Sequence, residues 1–267
     1  MKTDAASRHA APRHIVITGA SAGLGYALAL AYAAPGVVLG LLGRDAVRLD
    51  ACAAQCRARG ALTVTACIDV RDALAVQNWL WHFDDAHPVD LLLANAGVAH
   101  TLAAPGDWED LACIETLLRV NFAGALHAVL PLAGRMRLRG AGQIALVSSL
   151  AALRGMALSP AYCASKAALS VWAEAMRPLL ACEGVRLTLI LPGFVQTAMS
   201  ERFPASKPWL WPADKAAQHI RRKLAAGCAE IAFPWPLAWG MRLLALLPVT
   251  LADALLARSY WPGQKRR

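Results

Sequence analysis

The sequence predicts an α/β fold: a doubly wound parallel sheet in a single domain, with an apolar helical C-terminal extension. Three observations carry that prediction. Strand-like apolar runs alternate with alanine-rich helical stretches along most of the chain. The first run ends in a glycine turn that opens directly into a helix. Apolar residues make up 57% of the 267 positions, enough to bury a large core on both faces of a sheet.

His14 to Thr18 (HIVIT) reads as the first buried strand. Gly19-Ala20-Ser21-Ala22-Gly23-Leu24-Gly25 follows it and leads into the helical stretch Tyr26 to Ala34. Further strands are predicted at Val37 to Leu42, Leu62 to Ile68, Val89 to Ala94, Gln143 to Ser148, Val185 to Leu191 and Glu230 to Phe233. No linker interrupts this series, so one domain is expected over 13–234, with a substrate lid at about 198–212. Residues 1–12 read as a disordered lead. The stretch Met1 to Arg13 is polar and basic and resembles neither a signal peptide nor an anchor.

Residues 235–267 form the extension, where Leu237 to Leu247 and Leu251 to Ala257 are apolar and Lys265-Arg266-Arg267 make a basic tail. Proline, arginine and aspartate break the run too often for a membrane span. Tryptophans beside apolar helices with a basic tail suit a peripheral contact with anionic lipid. Packing in an oligomer or against the core is the competing account.

The net charge of +9 invites a nucleic-acid reading. The arginines are dispersed, however, apart from Arg135-Met136-Arg137-Leu138-Arg139 and Arg221-Arg222-Lys223, and no stacking aromatics accompany them. Solvated helix ends explain them, and no nucleic-acid partner is expected. The seven cysteines show no Cys-x-x-Cys or metal spacing and read as reduced core residues of a cytoplasmic protein. The seven histidines show no ligand spacing either, so no metal is proposed.

Two constellations carry chemistry. The glycine turn lets a ligand's phosphates approach the backbone, and the helix start offers free N–H groups and partial positive charge, a place for a dinucleotide pyrophosphate. Its spacing, Gly-x-x-x-Gly-x-Gly, departs from the commoner Gly-x-Gly-x-x-Gly pattern, and a plain flexible turn is the alternative. Tyr162 and Lys166 stand one helical turn apart in Ala161-Tyr162-Cys163-Ala164-Ser165-Lys166. A positive charge beside a phenol pulls its pKa toward the working range, making a group that can protonate a carbonyl oxygen or deprotonate an alcohol. Taken alone, such a pair is often an ordinary surface tyrosine.

Thr18-Gly19-x3-Gly23-x-Gly25, Asn95-Ala96-Gly97, Asn121, Ser149 and Tyr162-x3-Lys166 together resemble, in order and spacing, the short-chain dehydrogenase/reductase family in its single-domain branch. The similarity covers about residues 13 to 200 and then fades. It implies a Rossmann-type fold and an oxidoreductase that reduces a carbonyl or oxidises a secondary alcohol with NADP(H) or NAD(H). It also implies a homodimer or homotetramer.

Carried onto matching positions, the resemblance makes Asn121, Ser149, Tyr162 and Lys166 the catalytic set. Tyr162 would exchange the proton, Ser149 would orient the substrate oxygen, and Lys166 would lower the tyrosine pKa and hold the nicotinamide ribose. Asn121 would hold a relay water, or else pack or cap its helix. Ser149 is chosen over Ser148 because Leu150-Ala151-Ala152 follows it, with Ala152 where the family usually has glycine.

The implied cofactor contacts are Thr18, Gly19, Ser21, Gly23, Leu24, Gly25, Arg44, Asp69, Val70, Asn95, Ala96, Gly97, Pro192, Gly193, Val195 and Thr197, with Tyr162 and Lys166. The family's acidic ribose-binding position falls on Gly43 and Arg44 follows it, so NADP(H) is favoured and NAD(H) is the alternative. Asp45 either approaches the ribose or caps a helix. Asp69 either contacts adenine or caps a helix. Met199, Phe203, Trp209 and Trp211 would make the lid apolar, suiting a hydrophobic or lipid-like ketone, or would pack the lid to the body. A catalytically silent dinucleotide-binding scaffold, or a redox-responsive membrane-associated protein, is the rival reading.

Overall fold

The computed structural model of the chain describes residues 11–102 and 106–260, with backbone alone for 257–260. Most of the predicted lead, Trp261 and the basic tail lie outside the described residues.

Seven parallel strands build one sheet: β1 (His14–Thr18), β2 (Val38–Gly43), β3 (Leu62–Cys67), β4 (Leu91–Ala94), β5 (Gly142–Val147), β6 (Val185–Pro192) and β7 (Glu230–Phe233). Their order is β3-β2-β1-β4-β5-β6-β7, so the winding reverses between β1 and β4. Every predicted strand is present, its ends moved by no more than one or two residues. Ladders covered on both faces need apolar side chains in both directions, which is why the strands read as runs rather than alternations. In β1, Val16 points into one core while Ile15 and Ile17 point into the other.

Helices α1 (Gly23–Tyr32), α2 (Ala46–Ala58) and α8 (Ala213–Ala225) cover the Ile15 face. Helices α3 (Ala73–Ala86), α5 (Gly124–Arg139) and α6 (Pro160–Cys182) cover the Val16 face. A single π-turn, Arg119–Ala123, joins α4 (Leu111–Leu118) to α5. This joined helix, Leu111–Arg139, is long and apolar enough to cross a membrane, yet half of its most apolar window is buried inside the protein. A short α7 (Ala198–Glu201) follows β6.

The arginine run at the end of α5 is not a free basic patch. Arg139 and Arg135 bind the buried Asp84 carboxylate at 2.7 and 3.3 Å, tying α5 to α3, and Arg137 pairs with Glu183 at 3.0 Å. The cysteine reading needs correcting too: Cys52, Cys56 and Cys163 are buried, but Cys67 and Cys182 are exposed.

The extension divides between its two accounts. Helix α9 (Trp235–Leu246) packs Leu237, Ala238 and Met241 onto the Val16-side core. Helix α10 (Val249–Tyr260) buries Ala252 and is pinned by the Arg154–Asp253 ion pair at 3.1 Å. The outer faces remain bare: Trp235 is 73% exposed, Trp239 56% and Leu246 81%.

Candidate active site

At the switch point, the carboxyl ends of β1 and β4 part and leave a crevice, the usual ligand position in such sheets. Thr18 Oγ1 accepts hydrogen bonds from the Asn95 and Ala96 amides at 3.0 Å each, and Asn95 Nδ2 donates to the Thr18 carbonyl at 3.1 Å. These bonds lock the glycine turn against β4. The turn itself has no room for side chains: a Cβ on Gly25 would stand 2.2 Å from the Gly19 carbonyl oxygen. Gly19 adopts φ 68°, and its Cβ would meet the Ala96 Cα at 2.8 Å. Ala22 stands at the N-cap of helix α1 and its side chain caps nothing, so among the described residues no side-chain cap bond holds the first amides, which lie at the crevice.

Beyond the turn, Ser21 packs against Gly43, with Arg44, Arg48, Asp69 and Val70 around the same opening. Asp45 resolves as a helix cap, accepting the Arg48 amide at 3.0 Å. Asp69 is not a cap; Asp72 holds that place on α3. Asp69 instead accepts the Arg71 side chain at 2.7 and 3.0 Å, with Arg44 3.7 Å away. The Arg71 hydrogen bonds hold its carboxyl below the usual range. Arg48, one turn into α2, joins this cationic rim and was not singled out by the sequence.

Ser149, Tyr162 and Lys166 meet on the opposite side of the crevice. Ser149 follows β5, where its Oγ accepts the Ala151 amide at 3.1 Å and donates to the Pro192 carbonyl at 3.4 Å. Ser148 turns the other way, to the Lys166 carbonyl at 2.9 Å and Ser170 at 2.8 Å inside the core. Lys166 is 4% exposed, and its Nζ donates to the Val147 carbonyl at 2.9 Å. Burial lowers the Lys166 pKa to about 8 and pushes the Tyr162 phenol up, with the Ser149 side chain opposing the latter. In the free protein, burial therefore outweighs the lowering of the tyrosine pKa that the pair predicts, because each group loses water before it gains an ionic partner.

Asn121 sits in the π-turn, fully buried. Its Oδ1 accepts the Val98 amide at 2.8 Å, and its Nδ2 donates to the Val98 carbonyl at 2.9 Å and to Ser165 Oγ at 3.0 Å. Both amide donors are thus committed to the protein. The π-turn places Asn121 between the β4 loop and α6, consistent with the frequent occurrence of such bulges at functional sites.

Pro192, Gly193, Val195 and Thr197 line the same cleft, which measures about 580 Å³. Thr197 caps α7 in a reciprocal pair with Ser200 and touches the position a Gly23 Cβ would occupy. Of the expected lid side chains, Met199 and Phe203 line the cleft. Trp211 does not: it stacks on Phe233 at 5.0 Å and belongs to the body. Trp209 is 55% exposed. Leu237 and Met241 of α9 supply apolar wall that the sequence did not assign to the cleft.

The short chain dehydrogenase family model matches residues 13–208, which span the sheet through β6 and the first part of the lid. The chain belongs to the short-chain dehydrogenase family. An uncharacterised oxidoreductase of Myxococcus xanthus is 38% identical to it over 248 residues, 92% of this chain and 97% of that one. The ketoacyl reductase HetN of a Nostoc species is 32% identical over 200 residues, covering 73% of this chain and 68% of HetN. Among solved structures, a short-chain dehydrogenase from Sphingobium yanoikuyae in complex with NADPH aligns with TM-score 0.75 at 24% identity, covering 95% of this chain and 98% of that one. One from Mycobacterium paratuberculosis bound to NAD aligns with TM-score 0.72 at 24% identity, covering 82% and 95%.

This short-chain dehydrogenase is an oxidoreductase acting on CH–OH and C=O groups, and the group against which its cleft is to be tested is a nicotinamide dinucleotide. Its residues fit that group. The glycine turn and the start of α1, which has no side-chain cap among the described residues, line the cleft with backbone that fits a pyrophosphate, and the same cleft includes Ser149, Tyr162 and Lys166.

Proposed function

We propose that this short-chain dehydrogenase is an NADP(H)-preferring carbonyl reductase, or the matching secondary-alcohol dehydrogenase, whose substrate is apolar or lipid-like. The observation that carries the reading is the convergence of Ser149, Tyr162 and Lys166 from two elements on one crevice wall, facing the glycine turn across it.

Thr18, Asn95, Ala96 and Gly97 shape the floor of the dinucleotide site, and Gly19, Ser21, Gly23, Leu24 and Gly25 present its amides. Arg44, joined by Arg48, takes the 2′-phosphate at the same opening, where Gly43 presents no acidic side chain against it. Asp69 and Val70 flank the adenine, while Pro192, Gly193, Val195 and Thr197 line the nicotinamide end.

When bound, the reduced nicotinamide supplies a hydride to the carbonyl carbon. Ser149 holds the carbonyl oxygen, and Tyr162, kept protonated by burial, donates its proton to that oxygen. The phenolate left behind is stabilised by Ser149 and by the Lys166 ammonium. Asn121 fixes the Val98 segment and the Ser165 turn around that pair. The reverse sequence oxidises the alcohol.

Met199, Phe203, Leu237 and Met241 favour an apolar chain over a sugar or charged acid. The exposed outer face of α9 and α10 would meet an anionic membrane surface peripherally, in a cytoplasmic protein that forms a homodimer or homotetramer. Incubation of the purified protein with NADPH and a panel of ketones, from short polar to long-chain β-keto compounds, tests the reading by loss of NADPH absorbance. Turnover rising with apolar chain length supports it; turnover confined to sugars or hydroxy acids refutes the substrate class.

A further inference from the structure

The proposed acid stands on the first turn of α6, and that turn is held in an unusual way. A helix start leaves amides without intrahelical partners, and a serine at the N-cap ordinarily accepts one of them. Ser159 occupies that position but makes no cap bond; its hydroxyl goes to Thr101 Oγ1 at 3.2 Å. Pro160 removes one unsatisfied donor by having no N–H. The next amide, Ala161, donates to Glu109 Oε2 at 2.8 Å, a residue 52 positions earlier in the chain.

We infer that Glu109 is a positioning residue for Tyr162, fixing the first turn of α6 from outside the helix; the inference rests on the reading of Tyr162 as the acid. The Glu109 side chain is only 5% exposed, and its Oε1 has no hydrogen-bond partner among the described residues. The His100 Nδ1 is 3.7 Å from that oxygen, beyond hydrogen-bond reach. Burying a carboxylate with one oxygen unmatched costs free energy. What it gains is the Ala161 amide and the partial positive charge at the N-terminus of α6.

Tyr162 follows Ala161 directly and is held from its other side as well. Its carbonyl accepts Ser165 Oγ at 2.8 Å, and that hydroxyl in turn accepts Asn121 Nδ2 at 3.0 Å. Glu109 and Asn121 thus bracket the tyrosine backbone. The segment before Glu109 also forms cleft wall through Val98, Ala99 and Thr101, and Leu102 is bonded to the Leu158 carbonyl at 2.8 Å. Acid and cleft wall therefore share one set of ties, and displacing a reacting group by about 1 Å can cost on the order of 10²-fold in rate.

The test compares Glu109→Ala, Glu109→Gln and wild type, all full length, with NADPH and any ketone the wild type reduces. The expected result is a fall in kcat of about tenfold or more for Glu109→Ala, with ketone KM and NADPH Kd within about threefold. Glu109→Gln, whose amide oxygen can accept the same hydrogen bond, is expected to keep kcat within about threefold. An unchanged kcat in folded Glu109→Ala overturns the inference, as does a Gln variant no better than Ala. If Glu109→Ala does not fold, Glu109→Gln decides: retained kcat supports the acceptor role and lost kcat ends it. Full turnover by Tyr162→Phe strikes the underlying reading instead, so the two failures are separable.

Discussion

Lys166 places its Nζ 6.0 Å from the centroid of the Tyr162 ring, while the Val147 carbonyl oxygen, 2.9 Å away, takes a hydrogen bond from it. The ammonium is held beside the phenol by a backbone acceptor that does not neutralise it. Burial brings Lys166 to about 8 and raises Tyr162. At neutral pH, the free protein thus holds a protonated phenol beside a largely protonated amine, the state a reductase requires.

That arrangement has a pH signature. Unfolded, the lysine titrates near ~10.4, so between about pH 8 and ~10 the unfolded chain binds more protons than the folded one, and stability rises with pH across that window. Below pH 8 the burial cost is fully present. Lys166→Met is accordingly expected to raise the apo Tm at pH 7, the burial term being at most about 3 kcal/mol, with the difference shrinking as pH climbs past 8. Thermal unfolding of both proteins across this range checks it. In parallel, kcat/KM for NADPH in the reduction direction should fall above about pH 8 as Lys166 loses its proton.

The proposed NADP(H) preference assigns the 2′-phosphate to Arg44, 57% exposed in its side chain and 3.7 Å from the Asp69 carboxylate. Fluorescence titration of Arg44→Ala is expected to show NADPH Kd raised on the order of tenfold, with NADH changed by less than about twofold. Gly43→Asp should reverse the preference by setting a carboxylate against the 2′-phosphate. Equal losses for both nucleotides would remove Arg44 from the phosphate role.

The α9 wall should govern chain length. Met241→Trp fills cleft volume beside Leu237, so KM for long-chain ketones is expected to rise about tenfold while short ketones are little affected, a discrimination on the order of 1–3 kcal/mol. Steady-state kinetics across a chain-length series reads this directly.

Much of this was legible in the chain because it is local. Strand runs flanked by glycine, and Tyr162 one turn from Lys166, need no knowledge of distant residues. Asp45 as a cap follows from its own dihedral and the next turn's amide. The parts that escaped are long-range. Leu237 and Met241 sit in an apolar run whose pattern does not reveal which face meets the cleft. Trp211 looked like lid until Phe233, from the last strand, proved to be its stacking partner. The arginines at the end of α5 looked solvated because Asp84, their buried partner, lies on another helix. Glu109 gave no sequence signal at all, since its acceptor role depends on Ser159 turning away from its own helix.

The most direct measurement is NADPH-dependent ketone reduction by Tyr162→Phe, alongside NADPH binding by the same protein. The account predicts a Kd within about twofold of wild type and turnover reduced by about 10²-fold or more, because only the transferable proton has been removed. Turnover retained within about threefold, with binding intact, would contradict Tyr162 as the proton donor and send the search for the acid elsewhere in the cleft.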